Sequence, residues 1–148
     1  MDPLSLRLVN DTIRRESRSL LQYVTDAFPW ITPQEQTALV KLRDVVKEQK
    51  AALAGLGSVL YRRHLALPYV GTFPADFTTI NYVSLDHLLG LLVEFEAKGC
   101  ALLEQAIGQV SDMEANDLLK KYLELKRRYL QSLKTLATAH HDPAVVVK

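Results

Sequence analysis

The chain has little cysteine and no long apolar run. Cys100 is the only cysteine among 148 residues, so no disulfide forms within the chain, and a single thiol is typical of a reducing compartment. No stretch approaches the roughly 18 consecutive apolar residues that a membrane-spanning helix requires. The first residues show no basic region followed by an apolar run, so no signal peptide is expected. These absences predict a cytoplasmic protein that crosses no membrane.

An excess of charge of either sign is also missing. The chain contains 18 Lys and Arg residues and 17 Asp and Glu residues, which gives a net charge of +1. This charge produces no overall electrostatic field that would attract the protein to nucleic acid or to an anionic membrane. Asp11 interrupts the basic stripe of the N-terminal segment, and the basic residues of the C-terminal segment are typical of a solvated helix face, so no nucleic-acid partner is expected. The hydrophobic share of 48% is that of an ordinary globular chain, which has the length to bury a core of its own.

Apolar residues recur at helical spacing in four segments that proline-containing or short polar stretches separate. Thr32, Pro33 and Glu35 form a capping box with proline in the first turn, and the apolar face that follows extends to His64. The pattern predicts one all-α domain over residues 1–140, followed by a frayed tail over 141–148. Its helices are expected over residues 4–28, 33–66, 85–109 and 112–140.

The connections between the predicted helices are short, long and short. The middle connection, 67–83, reaches roughly 55 Å when extended, whereas the helix over 85–109 is roughly 37 Å long. This connection can therefore run along the whole bundle as a crossover. In this pattern the chain resembles the ferritin-like superfamily, and the resemblance implies a four-helix bundle with up-down-down-up topology. A simple up-down-up-down bundle with a decorated loop is the alternative.

A glutamate stands near the middle of every predicted helix, as it does in di-iron proteins of the ferritin-like type. These are Glu16, Glu48, Glu96 and Glu124. Such proteins also carry Glu-x-x-His, because residues three apart share a helical face. Ala51 follows Glu48 at that spacing and Arg127 follows Glu124, so both histidines are missing. Only Glu16 and Glu96 lie near the apolar stripes and remain candidate metal ligands.

The polar residues at mid-height suggest an ion-paired layer in place of a metal centre. Glu96 and Lys126 lie within a turn of each other when their helices are aligned from the shared loop, and a buried carboxylate needs such a partner. Two alternatives remain: Lys126 extends to solvent along its stem, or an iron centre forms. The predicted structural polar layer consists of Glu16, Gln49, Lys50, Glu96 and Lys126. Next to it, Gly99 leaves space for a water molecule or a large neighbouring side chain.

Histidines form a second candidate metal site. In the ferritin-like topology the start of the third helix meets the end of the fourth, which brings His87, His140 and His141 toward one another. With Asp86 and Asp142 they offer ligands for adventitious Zn²⁺ or Ni²⁺. The alternative is solvated helix ends.

No catalytic set of nucleophile and base, no phosphate-binding glycine loop and no metal-ligand spacing occurs in the sequence. We therefore expect a non-catalytic helical-bundle protein without a cofactor that forms a dimer, another homo-oligomer or a complex with a protein partner. Leu4 and Leu8 lie off the inner stripe and are expected to be exposed. One alternative is a divergent iron-binding or oxidase protein. Another is a small-ligand module with a pocket formed by Tyr69, Phe73, Phe77 and the small residues of the second helix.

Overall fold

The computed structural model describes residues 1–24, 32–80 and 83–140, and the regular elements in these ranges are helical. The predicted all-α class is therefore confirmed. Short 3₁₀ helices span Pro33–Glu35 and Ala75–Ile80. None of the helices in these ranges is long and apolar enough to cross a bilayer. The α-helices of the described residues are α1 Pro3–Ser17, α2 Leu20–Tyr23, α3 Gln36–Arg62, α4 Leu85–Ile107 and α5 Met113–His140.

The first predicted helix is interrupted, so the prediction of one continuous helix over 4–28 is wrong. At Arg18 the backbone leaves the helical region, with φ −125° and ψ 31°, and α1 ends. Ser19 then caps α2, because its hydroxyl accepts a hydrogen bond from the Gln22 N–H at 3.3 Å. A serine side chain that binds a nearby backbone N–H competes with continuation of the helix. Residues 25–28 of the prediction lie outside the described residues.

The second predicted helix ends four residues early, at Arg62 instead of residue 66. His64 adopts a left-handed conformation with φ 56°. The Leu65 N–H donates to the Leu60 carbonyl at 2.8 Å and the His64 N–H donates to that of Tyr61 at 3.1 Å, which is the Schellman pattern of helix termination. His64 is consequently exposed, and its predicted place on the inner face is wrong.

Boundaries of the other two long helices agree with the sequence to within two residues. Ser84 caps α4, as its hydroxyl accepts from the His87 N–H at 3.3 Å. The Asp112 carboxylate accepts from the Ala115 N–H at 2.9 Å at the beginning of α5. Both caps satisfy backbone donors that a helix start leaves unpaired.

Two apolar clusters hold the helices together, one toward each end of the molecule. The first joins the α2 region, the early part of α3, the beginning of α4 and the late part of α5; it includes Leu20, Leu42, Leu88 and Leu133. The second joins α1, the late parts of α3 and α4 and the early part of α5; it includes Val9, Leu56, Leu103 and Leu119. Four helical segments, with α1 and α2 as one of them, are therefore packed together around two clusters.

Polar contacts fix the end of the molecule near the second cluster. Arg63, just after α3, contacts Asp112 at 2.5 Å and Glu114 at 2.6 Å, at the start of α5. Ser5 of α1 accepts a hydrogen bond from the Ser111 N–H at 3.0 Å. The beginning of α1, the end of α3 and the beginning of α5 thus meet at this end.

Aromatic rings anchor the described part of the predicted crossover, 67–83, to the bundle. Phe77 is buried in the first cluster, and its ring lies 5.6 Å from that of Tyr23 and 5.8 Å from that of Phe95. The Arg18 side chain donates to the Gly71 carbonyl at 2.8 Å. This segment therefore packs against α1, α2 and α4. Residues 81–82 lie outside the described residues.

Candidate functional site

A layer of buried polar side chains crosses the molecule between the two apolar clusters. No more than 2% of the surface of Glu16, Gln49, Glu96 or Lys126 is exposed. The Lys126 Nζ lies 2.6 Å from Glu16 Oε1 and 2.7 Å from Glu96 Oε2. One ammonium group from α5 therefore joins carboxylates from α1 and α4. The pair of Glu96 with Lys126 that the sequence predicts is present, and Lys126 does not extend to solvent.

Three side chains that the sequence analysis did not assign to the layer complete it. Gln22 donates to Gln49 Oε1 at 3.0 Å, and Gln49 Nε2 lies 3.5 Å from Glu96 Oε2. The Tyr122 hydroxyl donates to Glu16 Oε1 at 3.3 Å, and Arg15 Nε donates to Glu16 Oε2 at 3.3 Å. Tyr122 was detectable, since it precedes Lys126 by four residues and shares its face. Gln22 was not, because the helix break at residues 18 and 19 changes its orientation.

Gly99 provides the space that Lys126 occupies. A Cβ atom added at Gly99 would lie 2.5 Å from Lys126 Cε and 2.9 Å from its Nζ. No ordinary side chain contact is this short. Of the two occupants predicted for this space, water or a large side chain, the structure has the side chain. A glycine in the interior of α4, which costs about 1 kcal/mol relative to alanine, is explained by this close approach.

The electrostatics of the layer favour a fixed ion pair over proton transfer. Burial raises the pKa of Glu96 above its ordinary value, although the neighbouring Lys126 charge opposes this. For Lys126, burial acts to lower the pKa, but Glu16 and Glu96 outweigh it and the net direction is upward. Burial and the charge of Glu16 raise the pKa of Tyr122 as well. Lys126 is therefore held as a cation and Tyr122 as a neutral hydrogen-bond donor, and neither is prepared to act as a nucleophile or base.

Some of the predicted site residues lie elsewhere. Lys50 is exposed on α3 and is not part of the layer, so that assignment is wrong; the inward-facing position next to it is taken by Gln49. His87 is exposed at the start of α4. The side chain of His140 and the residues 141–148, which include His141 and Asp142, lie outside the described residues.

The buried layer does not have the ligands of a di-iron centre. Within residues 1–24, 32–80 and 83–140 no group of three or more histidine, cysteine, aspartate or glutamate side chains is arranged to hold a metal ion. The two buried carboxylates, Glu16 and Glu96, both contact the Lys126 ammonium. A lysine cation at this place repels a divalent metal ion, so the residues present do not fit the iron site that the ferritin-like resemblance implies.

A groove with a volume of about 790 Å³ opens above the layer, between α1, α4 and residues 72–79. Its floor includes Glu16, Glu96, Gly99 and Lys126. Its walls are mainly apolar and include Phe77, Leu91, Phe95 and Leu102. Phe95 and Leu102 are 41% and 43% exposed, so apolar surface of α4 is accessible where the helix borders the groove.

The groove differs from the pocket that the sequence suggested. Of the three predicted aromatic residues only Phe77 lines it, and no residue of α3 does. Tyr69 is 86% exposed, while Phe73 packs on Tyr23 with ring centroids 5.2 Å apart. The difference arises because the crossover residues that border the groove, 72–79, lie over α1 and α4, whereas Leu67 at the start of the crossover lies beside Gly57 of α3.

Basic side chains border the groove. Arg14, Arg15 and Arg18 come from α1 and the residue that follows it, and Lys98 comes from α4.

Comparison of the chain with protein-family models, with curated proteins and with solved structures finds no match.

Proposed function

We propose that the chain is a non-catalytic binding protein built on a four-helix bundle, with an ion-paired layer in place of a metal centre and a ligand site in the groove above it. The groove is the observation that carries the proposal. Its volume of about 790 Å³ lies within the usual range of small-molecule pockets, roughly 300–1,000 Å³. Like such pockets, it combines apolar walls with a few polar groups at defined places.

We propose in addition that the bundle has the up-down-down-up order of ferritin-like proteins. The membership of the two clusters supports this order. The end of the first helical segment, the start of α3, the start of α4 and the end of α5 contribute to one cluster, and their opposite ends contribute to the other. In that order α3 and α4 run in the same direction and need a long connection, which agrees with the span from residue 63 to residue 84.

The binding function is tested with Nile red, an uncharged apolar dye whose fluorescence increases in apolar surroundings. We expect saturable binding to the wild-type protein. Leu102→Asp should weaken this binding about tenfold, because a Leu side chain contributes about 1.5–3 kcal/mol when it becomes buried. Leu102 is 43% exposed, so the substitution should leave the fold intact.

Val40→Asp is the matched control for this titration. Val40 is 51% exposed on α3 and does not line the groove, so the Val40→Asp variant should bind Nile red with the affinity of the wild type. Absence of saturable binding to the wild type contradicts the proposal, and so does an equal loss in both variants.

Self-association is a second candidate function, and exposed apolar side chains favour it. Leu4, Tyr61 and Met113 lie where the beginnings of α1 and α5 meet the end of α3, and Met113 is 81% exposed. Leu8, which was expected to be exposed with Leu4, is half-buried against the second cluster, so that prediction is wrong. Light scattering over a range of protein concentrations tests this candidate: a mass of two or more chains is expected, and a constant single-chain mass excludes it.

A further inference from the structure

One guanidinium nitrogen of Arg15 has no hydrogen-bond acceptor among the described residues. Arg15 uses its Nε to donate to Glu16, whereas its Nη2 is buried and has no hydrogen-bond partner among the described residues. Arg15 is also part of the lining of the groove. A buried donor without an acceptor costs free energy, and the cost is larger when the donor is charged. Arg15 is therefore a cation of the lining whose hydrogen-bonding capacity is not fully used within the described residues.

The charges around the groove leave an excess of positive charge. Its lining contains five cationic side chains and four carboxylates. Lys126 is held by two of these carboxylates, and Arg14 lies 3.3 Å from Asp11. Arg18 donates to the carbonyl oxygens of Ser17 and Gly71, which do not neutralise its charge. The lining thus matches a ligand with a single negative charge better than a neutral or a cationic ligand.

The apolar walls of the groove indicate the chemistry of the uncharged part of the ligand. Phe77 and Phe95 are in edge-to-face contact with ring centroids 5.8 Å apart, and they border the groove together with Leu102. Apolar surfaces of this kind bind an aliphatic or aromatic body through burial of its surface. A highly charged phosphate compound would bring more negative charge than the lining balances.

We propose that the groove binds a small apolar molecule with one carboxylate group, which pairs with the Arg15 guanidinium while its body packs against Phe77, Phe95 and Leu102. This inference rests on the proposed ligand-binding function and names the class of ligand. Arg15 supplies the selectivity and the apolar walls supply most of the affinity.

The test compares decanoate, decanol, decylamine and decyl phosphate as competitors of Nile red near neutral pH, each below the concentration at which it forms micelles. Decanoate should bind the wild type at least about tenfold more tightly than decanol, because a hydrogen bond to a charged group contributes more than one between neutral groups. Decylamine and decyl phosphate should bind more weakly than decanoate. Equal affinity for decanoate and decanol would overturn the inference and leave the binding function standing, whereas failure of every compound and of Nile red would overturn both.

Arg15→Gln should bring the affinity for decanoate to within about twofold of that for decanol, while Nile red still binds. Arg7→Gln is the control, since Arg7 is an exposed arginine of the same helix that does not line the groove. Retention of the decanoate preference in Arg15→Gln would contradict the role of Arg15. The comparison of compounds on the wild type needs no substitution, so the inference remains testable if this variant folds poorly.

Discussion

Replacement of Lys126 by methionine is expected to lower the free energy of unfolding by about 3–5 kcal/mol at pH 7. Methionine keeps the apolar stem and removes the ammonium that lies 2.6 Å from Glu16 and 2.7 Å from Glu96. Glu96 then remains buried without the cation, and Glu16 keeps its contact with Arg15 at 3.3 Å. The loss measures the cost of removing Lys126 from these buried carboxylates, and it exceeds the net contribution of the ion pairs to stability.

Urea unfolding of the wild type, Lys126→Met and Lys134→Met provides the measurement. Lys134 is exposed on the same helix, so its substitution should change stability by less than about 0.5 kcal/mol. The triple variant Glu16→Gln, Glu96→Gln and Lys126→Met should recover most of the loss, because it removes the buried charges together. Equal stability of Lys126→Met and Lys134→Met would mean that the carboxylates reach solvent or another partner.

The stability deficit of Lys126→Met should depend on pH. Burial already raises the pKa of Glu96 above 4.5, and Lys126 is the main influence that lowers it, so the substitution raises this pKa further. A carboxyl group with a raised pKa stabilises the fold fully below its unfolded pKa, and that stabilisation is lost as pH rises through the folded pKa. In the wild type the pKa of Lys126 is raised, so the stabilisation of the fold by its ion pairs is fully present below about pH 10.5. The deficit is therefore small near pH 4.5 and grows toward neutral pH, and unfolding measured over this range checks the direction.

Much of this layer follows from the periodicity of the sequence. Apolar residues at helical spacing identify the inward faces of the long helices, and the short loop before α5 aligns it with α4, which brings Glu96 and Lys126 to the same height. The same periodicity places both Gln49 and Lys50 at the margin of the apolar stripe of α3, but only Gln49 faces inward. Adjacent residues on a helix differ by about 100° in direction, and a margin of the stripe is decided by the exact rotation of α3.

The groove was not predictable in the same way. It exists because α1 ends at Ser17, because Phe77 of the crossover packs into the first cluster, and because Gly99 has no side chain. The first two depend on local competition at Ser19 and on the path of a segment without helical periodicity. Tertiary packing decides the path of the crossover, so spacing along the chain contains no signal for where it lies.

Gly99 connects the layer with the groove, and Gly99→Ala is expected to lower the free energy of unfolding by about 2 kcal/mol. The helix itself would gain about 1 kcal/mol from alanine. That gain is outweighed because the new Cβ would lie 2.5 Å from Lys126 Cε. The end of an exposed lysine moves away easily, but this one is buried between two carboxylates and can only move by lengthening its ion pairs.

Gly90→Ala is the matched control in the same helix. A Cβ atom added at Gly90 meets nothing within 4 Å, so this variant should gain about 0.5–1 kcal/mol from helix propensity alone. Urea unfolding should therefore place the two alanine variants on opposite sides of the wild type. If Gly99→Ala is as stable as Gly90→Ala, the space beside Gly99 is not restricted.

A double-mutant cycle identifies Lys126 as the source of the Gly99 effect. In the Lys126→Met background Gly99→Ala should cost at least about 0.5–1 kcal/mol less than in the wild type, because an uncharged methionine leaves its position without breaking an ion pair. The cycle is best measured at about pH 5, where the deficit of Lys126→Met is smaller and all four proteins stay folded without urea. Additive costs would mean that the added methyl group acts through the backbone of α4. Non-additive costs of the expected sign would show that glycine at position 99 is required by the ammonium group of Lys126.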